Sequence, residues 1–346
     1  MVHLPKLLIG LVLIAVIAVF ATHPRWFDPG RETGDEAGLT ASSTDTSISS
    51  TTENGSGGVG GGGSGDDGGT STVSGKSITL SLIFGGIQRS YILHIPTGYT
   101  TSKKYPLMIS FHGNGGSGLG QELKTGFDAV ADASGFFIAY PDAVSGTWQL
   151  AGRTNDIDFA QSLLTAIESN YSIDASRIYA SGFSQGGGVA QGLTCTVPNK
   201  IAGMAVVSEN LSQKMAGLCN PTVPVTAVFF HGTADPVSLY EGGNYKGGNT
   251  YSSLQTAEFW VKANGCSSSP DTMPFADTLS DGSRVTNTKQ VWTGCGGGVT
   301  VTFYTIEGGG HAWPGGTPSK KTEVGPRSTG VNASQVIWNT LSSMRR

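Results

Sequence analysis

The chain has 346 residues, only 13% of them charged, and a formal net charge of −4. That is roughly half the usual ~25% charged fraction, so Ser, Thr, Asn and Gly must carry most of the solubility. No basic stripe supports nucleic-acid binding, no Cys/His group has zinc spacing, and no glycine-rich stretch has the full Gly-x4-Gly-Lys-Ser/Thr spacing of a phosphate loop. Neither a metal nor a nucleotide cofactor is implied.

The chain begins with Lys6 and an apolar run over 7–21. At about 15 residues it matches a signal-peptide core and falls short of the ~20 wanted for a spanning helix. Residues 1–21 are therefore expected to be a signal peptide, with Val19-Phe20-Ala21 as cleavage site, or a signal-anchor leaving a membrane-tethered ectodomain. Residues 22–75, almost wholly Gly, Ser, Thr, Asp and Glu from about 33 onward, bury too little apolar surface to offset ordering entropy. They are expected to be a disordered linker. What remains, 76–346, fits one α/β domain of ordinary size.

Within that domain, 78–83 and 91–95 alternate with the period of strands around Gly85-Gly86, which predicts an antiparallel hairpin. A strand over 106–111, a helix over 121–133 and a strand over 136–140 follow. Phe159, Leu163, Leu164 and Ile167 recur at helical spacing, so 156–170 is predicted helical, with acidic residues at its start. Strands at 177–181, 201–208, 225–230 and 301–306 alternate with helices at 187–194, 250–263 and 331–343. Alternation of this kind predicts a mostly parallel sheet flanked by helices, with reactive groups gathered at the strand carboxyl ends. Asp271, Asp277 and Asp281 fall in polar sequence that reads as solvated loop.

Ser184 stands in Gly182-Phe183-Ser184-Gln185-Gly186, directly after Ile178-Tyr179-Ala180. Gly-x-Ser-x-Gly at a strand end predicts a sharp strand-to-helix turn that lifts the hydroxyl above the sheet. In the α/β-hydrolase fold the order is Ser, then Asp or Glu, then His. Of the six histidines, only His231 and His311 follow Ser184, and only His311 leaves ample room for an acid between. It lies in Gly309-Gly310-His311-Ala312-Trp313-Pro314-Gly315, beyond the strand at 301–306. Asp235, in His231-Gly232-Thr233-Ala234-Asp235, follows the strand at 225–230 and is the expected acid, with Glu209 as competitor. The loop His112-Gly113-Asn114-Gly115-Gly116 follows the strand at 106–111, where this fold recruits one oxyanion N–H. The residue after the nucleophile supplies the other. Those positions assign Gln185 and Asn114, with Gly113 or Gly115 as alternatives to Asn114. His112 reads as a brace for its own loop.

Cys195, Cys219, Cys266 and Cys295 allow three pairings, and nearest-neighbour pairing closes two short loops worth about 3 kcal/mol each in the loop-entropy model. Disulfides agree with export. Asn54, Asn170, Asn210 and Asn332 begin Asn-x-Ser sequons, which matter only in a glycosylating host.

With these residues in hand, 76–346 resembles the secreted esterases of the polyhydroxybutyrate depolymerase and feruloyl esterase type. The shared motifs include Tyr140-Pro141-Asp142, Asn155-Asp156-Ile157-Asp158, the serine pentapeptide with Gly187, His231 to Val237 with Tyr240, and the stretch around His311. Such sequences usually carry Thr where this chain has Ala312, and Asn or Ala where it has Gln185. The resemblance implies a triad of Ser184, Asp235 and His311, the pairs Cys195–Cys219 and Cys266–Cys295, and no cofactor. It also implies an ester substrate, feruloyl or acetyl esters of plant-wall polysaccharide or the polyester polyhydroxybutyrate. A serine peptidase or a non-catalytic surface module is the rival class. Trp148 and Trp313 are candidate walls for an acyl or aryl group, although both also fit ordinary packing.

Overall fold

The computed structural model describes residues 75–149, 155–245, 248–318 and 323–346. The expected leader, and the expected linker up to residue 74, lie outside the described residues. Among the described residues no helix is long and apolar enough to cross a membrane.

Strands β1 (Lys76–Phe84) and β2 (Ile87–Ile95) form the N-terminal hairpin, with Gly85 and Gly86 both at positive φ in its turn. Strand β3 (Tyr105–Phe111) leads into the glycine-rich loop and helix α1 (Gly118–Thr125). The single helix expected over 121–133 is in fact two. Gly126 takes φ 60° and closes α1 through its N–H to Glu122, and α2 (Phe127–Ser134) starts anew. A left-handed glycine ends a helix more decisively than apolar spacing can reveal. Strand β4 (Phe137–Pro141) and helix α3 (Asp156–Asn170) come next; Asn155 caps α3 by accepting from the Ile157 N–H.

The middle of the chain runs β5 (Ile173–Phe183), α4 (Gln185–Thr196), β6 (Ile201–Val207), α5 (Gln213–Leu218) and β7 (Thr226–Gly232). A small hairpin, β8 (Gly243–Tyr245) and β9 (Gly248–Thr250), precedes α6 (Ser253–Ala263), whose Ser252 and Gln255 form a capping box. The polar stretch expected to be loop instead forms β10 (Asp271–Thr278), paired antiparallel with β11 (Arg284–Trp292). Asp277 there is buried, not solvated, and binds Asn287, Ser328 and the Gly330 N–H. An edge strand with one wet face reads as loop when its outward residues are polar. Strand β12 (Val301–Ile306) and helix α7 (Ala333–Leu341) complete the described fold.

Ten strands form one sheet in the order β1-β2-β4-β3-β5-β6-β7-β12-β11-β10. The six from β4 to β12 run parallel, and antiparallel hairpins extend both edges. This is the mostly parallel, helix-flanked α/β architecture that the alternation predicts. Along β5, Ile178 and Ala180 join the core under α3 and α4, while Tyr179 and Phe183 join the opposite core under α2 and α7. Burial on both faces explains why these strands read as unbroken apolar runs. In register, Phe183, Val207, Phe230 and Tyr304 lie side by side across β5, β6, β7 and β12. The loops that follow those four strands therefore leave from one rim.

Candidate active site

Ser184 is the single residue between β5 and α4, with φ 52° and ψ −132°. A non-glycine residue there stores backbone strain, which persists only where its surroundings over-determine it. Those surroundings are close backbone contacts. A Cβ on Gly182 would fall 2.1 Å from the Gly186 carbonyl oxygen, and one on Gly186 would fall 2.3 Å from that of Phe111. Both flanking glycines are thus required by space. The Ser184 N–H donates to the Val207 carbonyl at 2.9 Å, which pins the turn to β6. Ser184 remains 9% exposed, at the N-terminus of α4.

Asp235 lies three residues beyond β7 and His311 five beyond β12. They meet: His311 Nδ1 donates to Asp235 Oδ2 at 2.8 Å, with both side chains buried. Because a carboxylate only accepts, the proton sits on Nδ1, and Nε2 is left as the basic nitrogen. The other carboxylate oxygen accepts from the Val237 and Ser238 N–H groups at 2.8 and 2.9 Å. His231 Nε2 stands 3.4 Å from Oδ2 and donates to the Ser238 carbonyl at 2.7 Å. Burial alone would raise the Asp235 pKa. The hydrogen bonds from His231 and His311, with the positive charge those rings can carry, outweigh it and hold the carboxyl well below its usual range. The His311 ring lies 4.9 Å, centroid to centroid, from Phe183, the neighbour of Ser184. The Ser208 hydroxyl, from the end of β6, donates to the Ala312 carbonyl at 3.3 Å.

The glycine-rich loop after β3 packs onto the serine turn. A Cβ on Gly113 would sit 3.2 Å from that of Ser184. His112 does brace this loop: its Nδ1 donates to the Gly113 carbonyl at 2.7 Å, and its Nε2 accepts from the Ala143 N–H at 3.1 Å. Burial, above all, lowers its pKa and keeps it neutral. The Asn114 side chain accepts from Thr147 at 2.9 Å. Among the described residues, no acceptor takes the Asn114 or the Gln185 backbone N–H. The Gln185 side chain is committed elsewhere: it accepts from the Trp148 N–H at 3.0 Å and donates to the Trp148 carbonyl at 3.1 Å.

The two tryptophans need correction as cleft walls. Trp148 is 3% exposed, with Nε1 donating to the His112 carbonyl and its ring edge-on to Phe111 and tilted against His112 behind the loop. Trp313 is fully buried against Phe127 and donates to Ser334. A loop aromatic satisfies its N–H inward when a carbonyl or hydroxyl is within reach, and sequence does not show that reach. What sequence reasoning missed is the true wall. A cleft of about 200 Å³ runs from Ser184, Gln185 and Asn114 between α4 and the stretch 209–215. Glu209, the competing acid, lies in this cleft, and the His311 ring bonds to Asp235. Cysteines pair as nearest neighbours, Cys195–Cys219 and Cys266–Cys295, and the first bridge ties the end of α4 to the end of α5.

Comparison with known proteins places the chain among esterases. A family model described as Phospholipase/Carboxylesterase matches residues 152–272. The chain is 30% identical over 267 residues to the putative esterase NocK of Nocardia uniformis subsp. tsuyamanensis, covering 70% of this chain and 76% of that protein. It is 32% identical over 208 residues to a probable feruloyl esterase C of Aspergillus terreus, covering 57% and 70% respectively. Feruloyl esterase B of Piromyces equi is 30% identical over 238 residues, 65% of this chain and 42% of that protein. The solved acetyl xylan esterase from Aspergillus awamori superposes with TM-score 0.52 at 14% identity, covering 68% of this chain and 94% of that one. At that identity the likeness speaks for the fold.

Proposed function

The chain belongs to the α/β-hydrolase esterases of the feruloyl esterase type, and from that premise we propose that it cleaves feruloyl-type esters of plant-wall polysaccharide with Ser184, His311 and Asp235 as its triad. It is a carboxylic ester hydrolase. Ser184 Oγ attacks the ester carbonyl while His311 Nε2 takes its proton. Asp235 holds the imidazole by Nδ1 and stabilises the cation that forms. The N–H groups of Gln185 and Asn114 receive the oxyanion, each contributing about 3–4 kcal/mol at the transition state. His311 then returns the proton to the departing alkoxide, and water repeats the sequence on the acyl-enzyme.

The observation that carries this reading is the buried 2.8 Å contact between His311 and Asp235 at the rim that also bears the strained Ser184 turn. Names of relatives support the acyl class: feruloyl esterases in Aspergillus terreus and Piromyces equi. Two formed disulfides support an oxidising, extracellular setting for the catalytic region 76–346. The test offers feruloylated arabinoxylan, acetylated xylan and polyhydroxybutyrate in parallel and analyses the products by mass spectrometry. Ferulate release is expected. Release of hydroxybutyrate alone would overturn the polysaccharide assignment while keeping the triad.

A further inference from the structure

The cleft beside Ser184 has a sidedness that chemistry fixes. His311 must hand its proton to the leaving alkoxide, so the alcohol half of the ester lies next to His311. The cleft is lined by Ser184, Gln185 and Asn114, and His311 is absent from its lining among the described residues. It is therefore the acyl side. Its volume of about 200 Å³ is far more than an acetyl group fills.

Two polar residues stand out at its wall. Gln191, on α4, is fully buried; its Oε1 accepts from Trp260 Nε1 at 3.1 Å. An indole N–H can only donate, so that contact fixes which end of the amide is oxygen. The amide nitrogen then has no partner among the described residues. A buried donor left unpaired is costly, and such a group in a native structure calls for a ligand or a role. Across the cleft, Glu209 brings a carboxylate. Its Oε1 would be 3.8 Å from a Cβ on Gly188, and nothing nearer opposes that Cβ. Leu211 and Met215 add apolar surface, and a thioether packs well on an aromatic face.

We propose that Glu209 and Gln191 are specificity-determining residues that recognise a ring hydroxyl on an aromatic acyl group. Glu209 accepts the phenolic O–H, and the Gln191 amide donates to the same oxygen or to a neighbouring ring oxygen. The assignment rests on the ester-hydrolase reading above and names its acyl chemistry. A site built to hydrogen-bond a hydroxyl rejects the analogue that lacks it, because the buried Gln191 amide N–H is then left unpaired.

The experiment compares kcat/KM for methyl 4-hydroxycinnamate and methyl cinnamate. The wild-type ratio is expected to be at least about tenfold, and to fall to about twofold or less in Glu209→Gln and Gln191→Leu. Gly188→Val, which adds only bulk at the wall, should lower kcat/KM for both cinnamates by about tenfold relative to p-nitrophenyl acetate. Equal wild-type rates for the two cinnamates, or an unchanged ratio in folded Glu209→Gln, overturn the proposal. Calorimetric binding of 4-hydroxycinnamate and cinnamate to Ser184→Ala reads the cleft without turnover. Discrimination there, alongside a wild-type chain that hydrolyses no ester, would sink the proposed function and uphold this assignment.

Discussion

The molecule brings serine, histidine and aspartate together in two places. One is the proposed triad of Ser184, His311 and Asp235, of which the His311–Asp235 contact is formed. The other is Ser77, whose Oγ lies 3.0 Å from His94 Nδ1, while His94 Nε2 lies 3.0 Å from Asp132 Oδ1. By residue type and hydrogen-bond distance the second is a complete relay, yet its surroundings lack what makes a nucleophile. Ser77 sits in β1 directly opposite His94 of β2, an ordinary strand position with no turn and no helix N-terminus aimed at it. Its hydroxyl also donates to Glu122, and Asp128 approaches the same imidazole. Ser184 by contrast has a strained backbone, uncommitted N–H groups beside it and a cleft in front. Contact among three residue types is therefore cheap; the preorganised backbone around the serine is what distinguishes a reactive site.

The largest effect that sharpens this contrast is Ser184→Ala. It should lower kcat for p-nitrophenyl acetate by a factor on the order of 10⁴ or more, and Ser77→Ala should leave the rate within about twofold. A comparable loss at Ser77 would break the comparison outright. Next comes Asp235→Asn, expected to cost roughly 10³–10⁴ in kcat by disturbing the His311 tautomer. Steady-state kinetics should find Asp132→Asn near wild type. Gln185→Ala keeps the backbone N–H but cuts both bonds to Trp148, so its loss should be nearer tenfold, roughly what a small misplacement of the donor loop costs. Equal rates in that variant and the wild type would mean the tie has no bearing on geometry.

The smallest effects are in stability, and the two clusters should show opposite signs. Burial, foremost, pushes the Glu122 carboxyl up to about 7, with Asp128 beside it adding to the rise and the Ser77 hydrogen bond opposing it. A carboxyl raised in the folded state binds its proton more tightly there. Its contribution is full below its ordinary value of 4.5 and is lost as pH rises through about 7. Asp235 is held low, so its contribution is present above its ordinary value of 3.8 and fades as pH falls below it. Urea unfolding across pH should therefore show Glu122→Gln flattening the decline between about 4.5 and 7, and Asp235→Asn flattening the acid limb. The same slope in Glu122→Gln as in wild type would remove Glu122 as its source.

Much of the fold was legible because strands buried on both faces and helices with one apolar face leave strong periodic signals. Gly182, Ser184 and Gly186 advertised a turn by composition alone. The β10–β11 hairpin was not legible, because its outward polar residues mimic a loop and the partners of Asp277 come from residues 10 and 51 positions away in sequence. The break at Gly126 and the inward turn of Trp148 and Trp313 were hidden for a related reason. Each depends on which neighbour is within hydrogen-bonding reach, and chain order does not encode reach.

The sequence by itself determined the chemical identities and their order: a serine on a strand-to-helix turn, then an acid, then a histidine, on an alternating α/β chain with cysteines to cross-link. Only the tertiary structure decided that Asp235 rather than Glu209 holds His311, that the tryptophans support the loop from behind, and that the open wall belongs to Glu209, Gln191 and Met215. Local pattern reports the covalent neighbours of a side chain. Electrostatic and steric partners are chosen by the register of the sheet, which sums contributions from the whole domain.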